Sequence, residues 1–460
     1  MSFHRSSSFH PAEQWHNQPL HALPTPSVVI DRAVFTSNSA RMLEAAHKLD
    51  IEFRVHIKTH KTSEGTRIQL DPFGKGDGAG KSEDGQKHRL RATRLIISTV
   101  EEGWMLVKSG VLRDCGVKSV LYSLPPAPNT LQRLDLLRAA MAEEQCALLL
   151  MVDLPAQIAA MDRLPMEDGP AWHVFIKVDA GYHRAGVPVH TRQFEDTVRA
   201  VLGSSNSYLY GFYVHAGNSY GATSRIEASA YLDNEIKAVN EASSLARDLI
   251  GNDERLRLSY ASPAFVLSVG ATPTANAARV DSEHGERRVT VGNRADELEL
   301  HAGNYSLYDL QQFATSMIEQ DQIGLFVLST VCSVYPGRNS DIGEALCDAG
   351  GLAMSKDKGP IPGHGLVRSD AKQQGLAGWS LGRIAQEHGV LTYDDASSTE
   401  AGRPAPRLPE YGEKLRILPQ HACMTLANHP WFYIVDSGLE DGKGWEEWSV
   451  RDVWTPAKFW

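Results

Sequence analysis

From residue 51 to residue 301, short runs of apolar and largely β-branched residues recur along the chain. They fall at 51–55, 94–98, 119–122, 147–152, 172–178, 208–214, 256–260 and 297–301. Each has the length of a buried strand. Between most of them lie segments whose apolar residues return every three or four positions. One spans 129–144, with Leu131, Leu134, Leu136, Leu137 and Met141 as its apolar stripe; another spans 226–250, Ala-rich and free of Gly and Pro. Such periodicity predicts amphipathic helices. Strands alternating with helices predict parallel pairing through crossover connections. Eight units over about 250 residues fit an α/β fold of the (β/α)8 barrel type. A doubly wound open sheet is the competing architecture, and periodicity does not separate the two.

The pattern changes after residue 320. Strand-like runs at 323–333, 415–424 and 431–435 are separated by Gly/Pro-rich turns such as 360–365, and no long helical period follows. This predicts a mostly β domain over 321–460, after a barrel domain over 23–320 and a flexible tail over 1–22. Residues 27–30 are positioned to add a strand to the β domain. A Gly/Lys/Asp/Ser-rich insertion at 71–92 predicts a mobile surface loop. Its Gly78-Ala79-Gly80-Lys81-Ser82 lacks the earlier glycine and the preceding strand of a nucleotide-binding loop, so it is a decoy.

Composition narrows the function. With 46 basic against 56 acidic side chains the net charge is −10, which argues against nucleic acid and anionic membranes as partners. No run of 18 apolar residues is present, so no membrane span is expected. The five cysteines are odd in number, widely spaced and without a CxxC, as expected for a reducing compartment such as the cytoplasm. Residues 1–20 lack the apolar core of a secretory signal.

Polar clusters sit where the barrel strands should end, which is where barrels carry their catalytic groups. The first is Arg54-Val55-His56-Ile57-Lys58-Thr59-His60-Lys61. In a strand continued to Lys58, alternation puts Arg54, His56 and Lys58 on one face. Cationic crowding there disfavours an ammonium and favours the free amine that attacks an aldehyde; a solvated basic loop is the plainer alternative. The second is Lys177-Val178-Asp179-Ala180-Gly181-Tyr182-His183-Arg184, whose Arg184 is suited to a carboxylate or phosphate. The third runs from Gly211 to Gly221 and includes Tyr213, His215 and Tyr220. The fourth comprises Ser262 and Gly270-Ala271-Thr272, with His301-Ala302-Gly303-Asn304 after the last strand. Backbone N–H groups in such loops cradle phosphate. A fifth, His421-Ala422-Cys423, would place imidazole and thiolate on one face of a strand, a donor pair suited to Zn²⁺. A buried His and a buried Cys are its plainer reading.

These motifs, with Thr25-Pro26-Ser27-Val28-Val29-Ile30-Asp31 ahead of them, resemble the alanine racemase-like family of pyridoxal phosphate enzymes. The resemblance is to the branch that holds D-serine dehydratases and D-threonine aldolases, and it runs from about residue 24 to residue 436. It implies a Schiff base of pyridoxal 5'-phosphate on Lys58. His56, Arg184, Tyr213, His215, Tyr220, Gly270, Ala271, Thr272, Gly303 and Asn304 are implied around the cofactor. The family's racemases carry an Arg where His301 stands, which departs from their electronics. The resemblance further implies Zn²⁺ on His421 and Cys423, where the aldolases tend to use a carboxylate suited to Mn²⁺ or Mg²⁺. The expectation is therefore a homodimeric lyase that turns a small D-amino acid, D-serine, into pyruvate and ammonia. D-threonine aldolase and D-threo-3-hydroxyaspartate dehydratase are the alternatives, followed by a non-catalytic cofactor-binding protein.

Overall fold

The computed structural model describes residues 12–74, 90–164, 171–260, 264–285, 291–369, 375–394 and 405–460. Two compact units account for them. One comprises Ser37–Tyr305, Thr315–Ile318 and Ala457–Trp460; the other comprises the chain up to Thr36, Ser306–Ala314 and Glu319–Pro456.

Strand β1 (Ser27–Asp31) belongs to the second unit. The first is a closed barrel of eight strands, β2 (Glu52–His56), β3 (Arg94–Ile97), β4 (Ser119–Tyr122), β5 (Ala147–Val152), β6 (Trp172–Val178), β7 (Ser207–Val214), β8 (Val266–Val269) and β9 (Glu297–Ala302). Every neighbouring pair is parallel, and β2 closes on β9 with Glu52 opposite Glu299. This selects the barrel over the open sheet. Strands in such a barrel are covered on both faces, which explains near-continuous apolar runs such as Leu148–Val152. Ile96, Leu121, Leu149, Met151, Phe175, Tyr213 and Val266 form an apolar cluster drawn from six strands.

The helices begin where a side chain can take up a free N–H. Thr62, Thr99, Thr191 and Ser224 each cap one, accepting from the N–H three residues on; such caps contribute roughly 1 kcal/mol apiece. Helix Pro128–Glu143 buries Leu131, Leu134, Leu137 and Met141, but Leu136 is exposed. At 100° per residue Leu136 lies about 200° from Leu134, so it leaves the expected stripe.

The seventh strand also departs from expectation. Residues 256–260 alternate like a strand, but Asp253 accepts from the N–H groups of Arg255 and Leu256 and starts a helix, Glu254–Ser259. Leu258 is exposed, and the true strand follows at Val266–Val269.

The second unit carries a nine-stranded sheet. Its later members are β10 (Leu325–Tyr335), β11 (Glu344–Cys347), β12 (Gly365–Arg368), β13 (Trp379–Ile384), β14 (Gly389–Tyr393), β15 (Lys414–Pro419), β16 (Phe432–Val435) and β17 (Asp452–Trp454). The order is β11-β14-β13-β12-β15-β10-β1-β16-β17. All its pairings are antiparallel except β1 with β16. Residues 27–30 thus supply a central strand, with Ser27 opposite Leu328.

The expected boundaries shift accordingly, because 12–36 join the β unit and 457–460 join the barrel. Residues 12–22 are not a loose tail. Ala12 and Leu20 are fully buried, and Asn17 and Leu20 donate to Val450 and Trp448. Most of the 71–92 insertion, including the decoy motif, lies outside the described residues. None of the five cysteines is in a disulfide. No helix among the described residues is long and apolar enough to cross a membrane.

Candidate active site

The C-terminal ends of the barrel strands surround a cavity of about 340 Å³. Nine residues expected at the cofactor line it: His56, Lys58, Arg184, Tyr213, His215, Tyr220, Ala271, Thr272 and Gly303. Gly270 and Asn304 do not line it, and Ser262 lies outside the described residues.

Strand β2 ends at His56, two residues before Lys58. Arg54 points into the barrel below the cavity, its guanidinium over Phe175 and its Nε donating to Glu299 Oε1 over 2.6 Å; of the three residues expected on one face, only His56 and Lys58 line the cavity. His56 Nδ1 lies 3.1 Å from the carbonyl of Ile96. Burial, then Lys58, Lys61 and Arg184, hold its pKa well below the ordinary value, so the imidazole is neutral. His60 is structural: it bonds to Thr62 and Gln69, and burial lowers its pKa to about 4. Lys58 runs directly against Gly303, where an added Cβ would stand 2.8 Å from Lys58 Cε. A side chain at 303 would push the flexible end of Lys58 aside.

Strand β6 contributes a second lysine. Lys177 is buried, with Nζ 4.4 Å from the ring centre of Tyr213. Burial, reinforced by Arg184, lowers its pKa to about 7. Tyr213 stacks on His301, 4.1 Å between centres and 14° between planes. His301 Nδ1 is 3.0 Å from Ser268 Oγ, and its Nε2 is buried without a hydrogen-bond partner. His215 Nδ1 donates to the carbonyl of Gly270 over 2.8 Å. Desolvation, followed by nearby cations, keeps His215 uncharged; desolvation, followed by His215 and Lys177, does the same for His301.

Beyond β8, Gly270 adopts φ 142°, and an added Cβ would lie 2.1 Å from the His301 carbonyl oxygen. The N–H groups of Gly270 and Ala271 are already taken by Glu235 and Thr274. The anion site therefore reduces to the start of helix Thr272–Glu283, facing Gly303, with Asn304 N–H held by Thr272 Oγ1 at 3.2 Å. A helix N-terminus attracts phosphate through its free N–H groups and dipole. An orphaned ring nitrogen, an aromatic platform, a lysine channel and an anion-binding helix end together fit pyridoxal phosphate.

In the β unit, His421 and Cys423 do not sit on a strand. Strand β15 ends at Pro419, and His421 caps helix Ala422–Ala427, which holds Cys423 in its first turn. Asp309 accepts from Ala422 N–H over 2.9 Å, which begins the turn and ends the extended run. His421 Nδ1 is 2.6 Å from Asp357 Oδ2, which makes Nε2 the ring nitrogen that could hold a metal. Burial opposes its protonation, but Cys423, Asp309 and Asp357 outweigh that and raise its pKa to about 9. Surroundings that favour positive charge on the imidazole suit a cation. Among the described residues no group of three or more His, Cys, Asp or Glu forms a metal-holding cluster.

Sequence comparison speaks to both units. The family model for the N-terminal domain of alanine racemase matches residues 86–280, and the model for a putative serine dehydratase domain matches 324–435. The chain is 35% identical to the D-serine dehydratase of Schizosaccharomyces pombe, covering 97% of this chain and 95% of that one. It belongs to the D-serine dehydratase family. The D-serine dehydratase of Saccharomyces cerevisiae is 33% identical, covering 95% and 96%. Among solved structures, a D-threo-3-hydroxyaspartate dehydratase mutant in its metal-free form superposes with a TM-score of 0.71 at 26% identity, over 96% of this chain and 100% of that one. The family is pyridoxal phosphate-dependent and its members of this name are lyases.

Lys177, Ser123, Leu124 and Trp460 also line the cavity; the sequence had marked Lys177 only as part of a cluster, without a role, and the other three not at all. Lys177 had a signal: a charged residue inside an otherwise apolar strand is rarely accidental. Trp460 had none, since its partners lie hundreds of positions away.

Proposed function

We propose that the protein deaminates D-serine to pyruvate and ammonia. The reading rests chiefly on family membership; the observation that carries it in the structure is Lys58 threaded past Gly303 into a cavity that ends on a helix N-terminus. Bound at these sites, pyridoxal phosphate supplies the electron sink for charge at Cα and Zn²⁺ the Lewis acid for a departing β-hydroxyl.

The chain's own residues do the rest. Lys58 would hold the cofactor, and its amine is placed to take a proton from Cα. Thr272 and Gly303 would hold the phosphate. Tyr213, His215 and His56 form the uncharged walls around the ring, and the unpaired Nε2 of His301 is available to a ring polar atom. Arg184 at the exposed side binds the substrate carboxylate. His421 and Cys423 would hold the metal, with Asp357 orienting His421. The protein acts as a cytoplasmic homodimer on this reading, supported by the odd count and wide spacing of its cysteines and by its family.

The test is pyruvate release from D-serine with and without a chelator. Pyruvate that disappears on chelation, while the cofactor's absorbance persists, is expected. Glycine and acetaldehyde from D-threonine, or undiminished turnover by metal-free protein, would contradict it. D-threo-3-hydroxyaspartate is a second substrate to assay, because a dehydratase acting on it is a structural relative.

A further inference from the structure

Residues Ala457–Trp460 fold onto the barrel, and Trp460 lines the cavity. Several contacts hold the segment there. Ala457 N–H donates to the carbonyl of Lys61 over 2.8 Å. Arg133 Nη2 donates to the backbone oxygen of Trp460 over 2.6 Å and reaches Glu101 at 3.2 Å. The Lys61 ammonium lies 5.9 Å from the indole centre and is itself paired with Glu102 at 2.9 Å. That distance is within cation–π range.

The backbone is shaped for this arrangement. Lys61 and Phe459 both have positive φ, 54° and 73°, which a bulky side chain adopts only where its surroundings impose it. Lys61 is three residues from Lys58, so the segment is tied directly to the loop that carries the attachment lysine.

The cavity has a buried side and an open side. His56, Lys177, Tyr213 and His301 are each less than a tenth exposed, whereas Leu124 is 48% and Trp460 79% exposed. The buried side would take the cofactor ring, which leaves the open side for the substrate's own substituents. There the polar side chain suited to a carboxylate is Arg184, and the apolar wall is Leu124, Pro125 and Trp460.

The geometry points to Trp460 as a specificity-determining residue: its indole walls the open side of the cavity and limits the amino acid to a small, uncharged side chain. The inference rests on the amino-acid lyase reading and adds the size limit. A longer chain meets the indole, and a second carboxylate meets an apolar wall that cannot pair it.

The test uses full-length, cofactor-loaded protein and two probes with no β-hydroxyl to lose, D-alanine and D-norvaline. Their binding is followed by the change in cofactor absorbance. Trp460→Ala should narrow the affinity gap between the two by about 10-fold, the size expected for added methylenes in an apolar pocket. Arg133→Gln, which frees the segment without touching the cavity, should narrow it less. An unchanged ratio in Trp460→Ala with cofactor still bound overturns the proposal. So does an unchanged ratio with a loss of dimer mass in sedimentation, which would assign the segment to a subunit contact. Absence of pyruvate from D-serine in the unaltered protein would instead refute the dehydratase reading and leave the ratio as its own test.

Discussion

The barrel treats charge in opposite ways at its two ends. Toward the strand starts, both oxygens of Glu299 are taken, Oε1 by Arg54 at 2.6 Å and Oε2 by Arg94 at 2.9 Å, and Arg54 also donates to Ser119 at 3.0 Å. Burial pushes the Glu299 carboxyl up, but the two arginines outweigh it and hold it below its usual range. Toward the strand ends, Lys177, His56 and His301 are buried, with a half-buried His215 beside them, and none has an ion-pair partner of this kind. Desolvation and mutual repulsion drive their pKa values down. Paired charges are what a stable core tolerates; unpaired groups held neutral are what a reactive site needs. One end supports the fold and the other accepts a ligand, as the two faces of such barrels commonly divide.

Substitutions at the two ends should therefore separate stability from chemistry. Lys58→Ala should lower turnover by about 10⁴-fold, the upper range for a lost acid–base group, with the urea midpoint unmoved; steady-state kinetics beside urea denaturation read both. Glu299→Ala should do the reverse, costing about 3–5 kcal/mol because the buried Arg54 loses its counter-charge, while Arg94 keeps Glu297 at 2.6 Å. If its main effect fell on turnover in still-folded protein, the division between the ends would be wrong. Gly303→Ala sits on the reactive side: its Cβ displaces Lys58, and a shift of about 1 Å costs roughly 10²-fold in rate. Retained activity there would show that Lys58 takes another path.

The smallest effect is in pH dependence. The folded pKa of Lys177 is about 7 and that of an unfolded lysine is 10.5. Between these values the unfolded chain binds more protons, so stability rises with pH across this window and the penalty is complete below it. Lys177→Met should remove this slope, at most about 1.4 kcal/mol per pH unit, as read by urea denaturation at pH 7, 8 and 9 in cofactor-free protein. An identical slope in the variant would mean that Lys177 is not the depressed group.

Much of the barrel was legible because buried parallel strands demand continuous apolar runs, and those at 119–122, 147–152 and 172–178 coincide with the observed strands. The failures have local causes. Asp253 turned an alternating run into a helix by capping it. Asp309 did the same to the residues around Cys423 from more than a hundred positions away, which no local pattern reveals. Lys58 and Arg184 could be picked out as motifs, but the burial that distinguishes Lys177 from a solvated lysine depends on seven other strands. The docking of Ala457–Trp460 on Lys61 and Arg133 likewise exists only in the folded chain.

Two lysines thus line one cavity, and a lowered pKa by itself would nominate Lys177 as the amine that attacks an aldehyde. The path past Gly303 and the family resemblance nominate Lys58. Borohydride reduction of the cofactor-loaded protein, followed by peptide mapping, decides between them. The account predicts the phosphopyridoxyl label on Lys58 and none on Lys177; a label on Lys177 would contradict it.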